Sequence, residues 1–279
     1  MRYINYNGNI YPEHETLLPV TNRAYRYGDG FFESMVMFNK KMPLLEYHWS
    51  RIVFTAEVIS ASLPRAFDIA ALESMILDLA SVNDAVKNAR LRVQFFRMGK
   101  GFYLPDDDEL GYSITMDKLD NDRFEAGSGL LAGLRDDCFK GLSMVSDMKN
   151  SGALMYVLAA QFARAEGWDE CILMNHFGKI CEALNSNVFI VKGDKLITPT
   201  LESGCVNGVM RSYLIGLLQG GVEEREFEPD ELLNADEILL TNAVKGVQWV
   251  REINGKIYGN KEALALTDQI NSILVSKPA

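Results

Sequence analysis

The chain has 279 residues, 48% of them hydrophobic, and a formal net charge of −10. That length suits one large domain or two of ordinary size, and the apolar share is enough for real cores. The acidic balance argues against nucleic acid or an anionic membrane as partner, although local fields can still favour an anionic ligand. No apolar run approaches the roughly 18 residues of a membrane helix. The start, Met1-Arg2-Tyr3-Ile4-Asn5-Tyr6-Asn7-Gly8, is polar and strand-like with no feature of a signal peptide, so a cytoplasmic protein is expected. The four cysteines, Cys138, Cys171, Cys181 and Cys205, form no C-x-x-C pair, and there are three histidines. That pattern speaks against structural zinc, and no metal site is expected.

In chain order, residues 3–6 and 10–11 flank Asn7-Gly8-Asn9, a hairpin signal. Residues 21–30 read as a polar loop with two glycines, and 31–38 alternate like a strand. Leu45, Trp49, Ile52, Val53, Ala56 and Ile59 fall on one helical face, which predicts a helix over 45–62 ended by Pro64. A second helix is expected over 69–82, then strands over 89–96 and 112–116. The polar, glycine-bearing stretch 117–130 marks the expected domain boundary, with a smaller α+β domain at 1–120 and a larger one at 121–279. The second half predicts a helix over 154–166 stopped by Gly167, a strand over 170–174 and a hairpin, 188–191 with 195–197, around Gly193-Asp194. A helix over 209–219 closed by Gly220-Gly221, strands over 237–241 and 248–253, and a last helix over 262–275 complete the reading.

Three pieces carry chemistry. Lys149 lies in Ser146-Asp147-Met148-Lys149-Asn150-Ser151-Gly152, and Glu182 lies 33 positions later in Lys179-Ile180-Cys181-Glu182-Ala183-Leu184-Asn185-Ser186-Asn187-Val188-Phe189. Asn207-Gly208-Val209-Met210-Arg211 is a tight turn that opens a helix. Together they are what an enzyme needs to hold pyridoxal phosphate. An amine forms a Schiff base with the aldehyde, a carboxylate keeps the pyridine nitrogen protonated, and free helix-start amides receive the phosphate. On spacing alone Lys149 and Glu182 would pass for ordinary surface residues. No G-x-G-x-x-G follows a strand, and neither a Walker loop nor a hydrolase motif is present.

The order of these blocks resembles the class IV aminotransferases, the fold type IV pyridoxal-phosphate enzymes. These include branched-chain and D-amino-acid aminotransferases and aminodeoxychorismate lyase. The resemblance runs from Tyr3 to about Tyr258. It implies a two-domain α/β fold like that of D-amino-acid aminotransferase, with the cofactor between the domains, and a homodimer. It also implies Lys149 as the Schiff-base and catalytic lysine and Glu182 as the partner of the pyridine nitrogen. Asn187 supports the loop geometry. Arg51, in His48-Trp49-Ser50-Arg51-Ile52, resembles the family's phosphate arginine. Gly208, Val209 and Met210 form the phosphate turn, and Thr241-Asn242-Ala243 a third phosphate element. There Ala243 stands where transaminases commonly carry threonine, so Asn242, Thr241 or a backbone amide must substitute. Tyr27-Gly28-Asp29-Gly30-Phe31-Phe32-Glu33 matches the family's Gly-Asp-Gly strand. Phe32 and Glu33 point opposite ways, so only one of them faces the pocket. Arg23, Tyr25, Arg92 and Arg97 are candidates for the substrate carboxylate, with Arg97 favoured at the end of its strand. The family's Lys-x-x-Asn-Tyr run is missing after Lys149.

The expected reaction is amino-group transfer between an amino acid and a 2-oxo acid. The alternative is aminodeoxychorismate lyase, which releases pyruvate from 4-amino-4-deoxychorismate on the way to 4-aminobenzoate. Met210 and Ala243 pull toward it, and the missing arginine in Gly99-Lys100-Gly101-Phe102-Tyr103 pulls away. A catalytically dead cofactor-binding protein is the third reading, opposed by the joint presence of Lys149, Glu182 and Arg51.

Overall fold

The structure, a computed structural model, describes residues 1–15, 17–84 and 86–275, and for 136–138 the backbone alone. Cys138 thus lies outside the described side chains. The chain is a two-domain α/β protein. One compact unit is Met1–Asp122 with Lys149–Gly152, and the other is Arg123–Met148 with Ala153–Ala279.

The first unit holds β1 (Tyr3–Tyr6), β2 (Asn9–Pro12), α1 (Arg23–Tyr27), β3 (Gly30–Met37), α2 (Leu45–Val58), α3 (Ile69–Val82), β4 (Ala89–Arg97) and β5 (Leu110–Lys118). Its sheet runs β2-β1-β5-β4-β3, antiparallel throughout. The period-2 pattern sorts the side chains. Phe31, Met35, Leu91, Val93 and Phe95 join Ile52 of α2 and Leu72, Ile76 and Leu79 of α3 in one core. Phe32 and Ser34 fall on the other face of β3. Gly30 is where β3 begins against β4, and a Cβ there would run into the carbonyl of Phe95. The outer edge of β3 is not bare. Phe32 N–H donates to the Lys149 carbonyl, and Ser151 N–H to the Gly30 carbonyl, each at 3.0 Å. This short pairing blunts an edge strand and fixes the backbone from the Lys149 carbonyl to the Ser151 amide.

The second unit holds β6 (Leu130–Lys140), α4 (Leu154–Glu166), β7 (Glu170–Asn175), β8 (Ile180–Ala183), β9 (Asn187–Lys192) and β10 (Lys195–Thr198). It continues with α5 (Val209–Leu217), β11 (Val222–Glu224), α6 (Pro229–Leu233), β12 (Glu237–Asn242), β13 (Gly246–Ile253), β14 (Lys256–Ile257) and α7 (Lys261–Leu274). The sheet order is β11-β10-β9-β12-β13-β6-β7-β8, with β14 on β13. β6 runs parallel to both neighbours. Val188, Ile190, Ile238, Leu240, Val250 and Ile253 are buried in its main core.

Several elements depart from the sequence reading. Residues 23–27 form a helical turn rather than loop, because the Asn22 side chain caps it by accepting from the Ala24 amide. The helix expected to 62 stops at Val58, well before Pro64, with Ser60 in left-handed backbone at φ 51°. β6 was not foreseen. Its Leu-Leu-Ala-Gly-Leu-Arg-Asp-Asp run shows neither clean alternation nor continuous apolarity, and pairing on both edges supplies the strand.

Candidate active site

Lys149 is placed by the backbone pairing with β3, and its Nζ lies 4.6 Å from the centre of the Phe32 ring. The Arg92 guanidinium lies 3.7 Å from the same ring. Arg92 is directly opposite Ser34 across the ladder and Gln94 opposite Phe32. Gln94 Nε2 donates to Ser151 Oγ at 2.9 Å, tying the lysine segment to the same face. Of the alternating pair, Phe32 is therefore the residue beside Lys149. Two cations around one aromatic ring make a neighbourhood suited to an anion.

Glu33 points the other way, onto α2. Its carboxylate receives Arg51 Nε at 2.8 Å and Arg51 Nη2 at 2.6 Å, and lies 2.6 Å from His48 Nδ1. Burial works against its charge, but Arg51 and then His48 outweigh burial and hold Glu33 down to about 2. Burial depresses His48 despite Glu33, and Arg51 and Lys149 add to the cost of a further cation there. A neutral His48 donates Nδ1–H to Glu33. The role of Glu33 is thus to fix Arg51 in a bidentate grip, which defines the guanidinium plane.

Arg97, the favoured substrate arginine, is buried and occupied. It donates to Asp108 Oδ1 at 2.6 Å, to the Ile59 carbonyl at 2.8 Å and to Asp29 Oδ2 at 3.2 Å. Arg23 also bonds Asp29, at 2.7 Å, and donates to the carbonyls of Lys100, Phe102 and Tyr103. Asp29 of the Gly-Asp-Gly motif is the hub that joins these two arginines. Tyr25 is 78% exposed. Among the four carboxylate candidates, Arg92 is the one that lies against the same ring as Lys149.

In the second unit, Glu182 sits on β8 with 3% exposure. Lys140 Nζ, at the end of β6, donates to its Oε1 at 2.5 Å. The Tyr156 hydroxyl, in the first turn of α4, donates to the same oxygen at 2.5 Å. The Val206 amide donates to Oε2 at 2.8 Å. Lys140 and Tyr156 were missed from sequence. Lys140 carried no spacing signal, and Tyr156 lies 7 positions after Lys149, beyond the missing Asn-Tyr pair. Glu170 supports the next loop, accepting from the Leu184 amide at 3.0 Å.

Val206 leads into the glycine turn that opens α5. Its carbonyl accepts from Asn187 Nδ2 at 2.7 Å. A Cβ on Gly208 would strike Asn187 Oδ1, so only glycine admits this close approach. Asn207 N–H donates to the carbonyl of Asp147, two positions before Lys149 in the chain. Gly208 caps α5, whose first amides at Val209 and Met210 have no acceptor within the helix. The third element is less accessible for a ligand. Asn242 Oδ1 accepts from the Val244 and Lys245 amides, and Nδ2 donates to Asn185 and Ser186. Ala243 brings no polar side chain. The Thr241 hydroxyl is buried with no partner among the described residues, which makes it the available donor of the three.

These groups fit pyridoxal phosphate. Within the second unit, a buried carboxylate with its own counter-cation answers a pyridinium and a glycine-built helix start answers a phosphate; in the first unit, Lys149 carries an amine. Among the described residues no cluster of side chains suits a metal ion, and no helix is long and apolar enough to cross a membrane.

Comparison with known proteins agrees. D-alanine aminotransferase of Bacillus licheniformis is 27% identical over 96% of this chain and 94% of its own length. Aminodeoxychorismate lyase of Bacillus subtilis is 24% identical over 93% of this chain and 89% of its own. The branched-chain aminotransferase of Thermoproteus uzoniensis, solved with norvaline, shares the fold. Its TM-score is 0.87 at 22% identity, with 99% of this chain and 95% of that one covered. The family model for amino-transferase class IV matches residues 30–253, so the chain belongs to the class IV aminotransferases, enzymes that work with pyridoxal phosphate as transaminases or lyases.

Proposed function

We propose that this chain transfers an amino group between an amino acid and a 2-oxo acid, with pyridoxal phosphate held by Lys149, Glu182, Arg51 and the turn Gly208-Val209-Met210. The observation that carries the reading is the framework around Glu182. One buried carboxylate is paired with Lys140, and its second oxygen is bonded to the Val206 amide, two residues before the glycine turn. The acid for the ring and the cradle for the phosphate are parts of one hydrogen-bonded scaffold.

Bound there, the cofactor supplies an electron sink that stabilises negative charge at the substrate's Cα. Glu182 would accept a hydrogen bond from the ring nitrogen and so favour a proton there. Arg51, its plane set by Glu33, and the amides of Val209 and Met210 neutralise the phosphate. The Lys149 amine would hold the cofactor's aldehyde, and as a free base it would take the proton from the substrate's Cα. Arg92, beside Phe32 and Lys149, binds the substrate carboxylate. Arg97 braces the end of β4 and leaves that task to Arg92.

A second reading, aminodeoxychorismate lyase, is favoured by Met210 and Ala243, which offer no hydroxyl where transaminases more often carry threonine. The glutamate half-reaction separates the two. Purified protein should be yellow, lose the band on Lys149→Ala, and bleach toward the pyridoxamine form with glutamate or a branched-chain amino acid. Pyruvate and 4-aminobenzoate released from aminodeoxychorismate, without bleaching by any amino acid, would replace transamination by the lyase. A wild-type protein that takes up no cofactor would defeat both and leave the non-enzyme reading. We infer a cytoplasmic homodimer. Met144 is 80% and Leu154 71% exposed, and apolar side chains of that size on one unit suit burial against a second copy. Light scattering that finds a monomer would remove that part.

A further inference from the structure

We infer that Tyr156 is a positioning residue for Glu182, and that with Lys140 it occupies one carboxylate oxygen so that the other, Oε2, is the one presented to a ligand's ring nitrogen. This rests on the reading of Glu182 as the partner of that nitrogen.

The geometry is a closed triangle. Lys140 Nζ is 2.6 Å from the Tyr156 hydroxyl, and each is 2.5 Å from Glu182 Oε1. The hydroxyl accepts from the ammonium and donates to the carboxylate, so its proton has one direction to point. Burial first, and Glu182 second, push the phenol well above its ordinary value, so it remains a donor at any working pH. A carboxylate oxygen has two acceptor sites. Both on Oε1 are used, whereas Oε2 carries only the Val206 amide among the bonds described. That amide belongs to the segment entering the phosphate turn. The oxygen left for the ring is therefore the one whose position is registered to the turn.

The lysine alone would not achieve this. Its ammonium rotates freely about a flexible stem and can sit on either oxygen. The phenol is rigid, sits in the first turn of α4, and packs against the cluster of Ala159, Ala163, Cys171 and Leu173. It reaches Oε1 along one line and so selects which oxygen the lysine takes.

The test compares Tyr156→Phe with Tyr258→Phe in the full chain. Tyr258 donates to the Leu233 carbonyl at 3.2 Å, so its variant also loses a tyrosine hydrogen bond in the same unit. Both should lower the melting temperature of the cofactor-free protein by a few degrees, Tyr156→Phe by the more because its partner is charged. Only Tyr156→Phe should weaken pyridoxal phosphate binding, by about ten- to a hundredfold in equilibrium fluorescence titration, as befits a hydrogen bond to a charged group. Only Tyr156→Phe should also change the ratio of the long- to the short-wavelength band of the bound cofactor. Fluorotyrosine at 156 keeps the ring and strengthens the donor, so it should move the band ratio in the opposite direction. It also serves if Tyr156→Phe does not fold. Wild-type affinity and wild-type band ratio in both substitutions overturn the inference while leaving the function intact. A wild-type protein that takes up no cofactor overturns the function and this inference with it.

Discussion

Glu33 and Glu182 are both buried acids holding a cation and a second side-chain donor, yet they are assembled over very different stretches of chain. Glu33 takes both partners from α2, where His48 and Arg51 are three positions apart and share a helical face. Glu182 takes Lys140 from the end of β6 and Tyr156 from the start of α4, with Val206 from the approach to α5. The first cluster is written in a local motif. The second exists only once three elements of a sheet domain have met. A local cluster announces itself by spacing, whereas a non-local one is silent until the sheet order is known.

The comparison predicts unequal failures. Lys140→Met should be the most damaging, because it leaves Glu182 charged, buried and short of its cation. About 3–5 kcal/mol of stability should be lost in urea unfolding. A loss below ~1 kcal/mol would mean that the pair is only a contact. Glu33 should reveal itself by acid. Its folded value of about 2 lies below the ordinary 4.5. It therefore contributes stability that is complete above about pH 4.5 and lost as pH falls toward 2. That contribution is about 3 kcal/mol, and Glu33→Gln should flatten the acid limb of the stability profile by that amount. An unchanged acid limb would show that Arg51 does not depend on Glu33.

Smaller effects sharpen the contrast. Gly208→Ala should cost about 1–3 kcal/mol by forcing Asn187 aside and should weaken inorganic phosphate or cofactor binding. A crystal structure showing Asn187 unmoved would refute the close approach as the reason for glycine. Smallest in stability is Arg92→Ala, expected within about 0.5 kcal/mol because the residue is exposed as a whole. Arg97→Ala should cost several times more, since it strips Asp29 and Asp108 of a partner. In steady-state kinetics Arg92→Ala should raise the substrate KM. If Arg97→Ala raised KM with no loss of stability, the substrate role would return to Arg97.

Much of the frame was legible beforehand. The helix over 69–82 has the ends expected of it, and the Asp68 side chain caps it by accepting from the Ala71 amide. The helix over 154–166 ended where Gly167 supplies the left-handed cap. The alternation at 31–38 placed Phe32 and Glu33 on opposite faces without saying which met the lysine. The three arginine candidates, Arg23, Arg92 and Arg97, differed in sequence only in that Arg97 ends its strand. Ladder register and burial separated them, with Arg92 set across from Ser34 and Arg97 walled in by Asp29 and Asp108.

Spacing and periodicity are properties of neighbours along the chain, so the sequence alone determined the longer helices, the hairpins, the glycine turn and the family to which they belong. Which oxygen of Glu182 is occupied, which aromatic lies beside Lys149, and why residue 208 tolerates no Cβ were decided only by the tertiary structure. Each depends on groups tens of positions apart brought within a few ångströms by sheet order, and no local pattern encodes that distance.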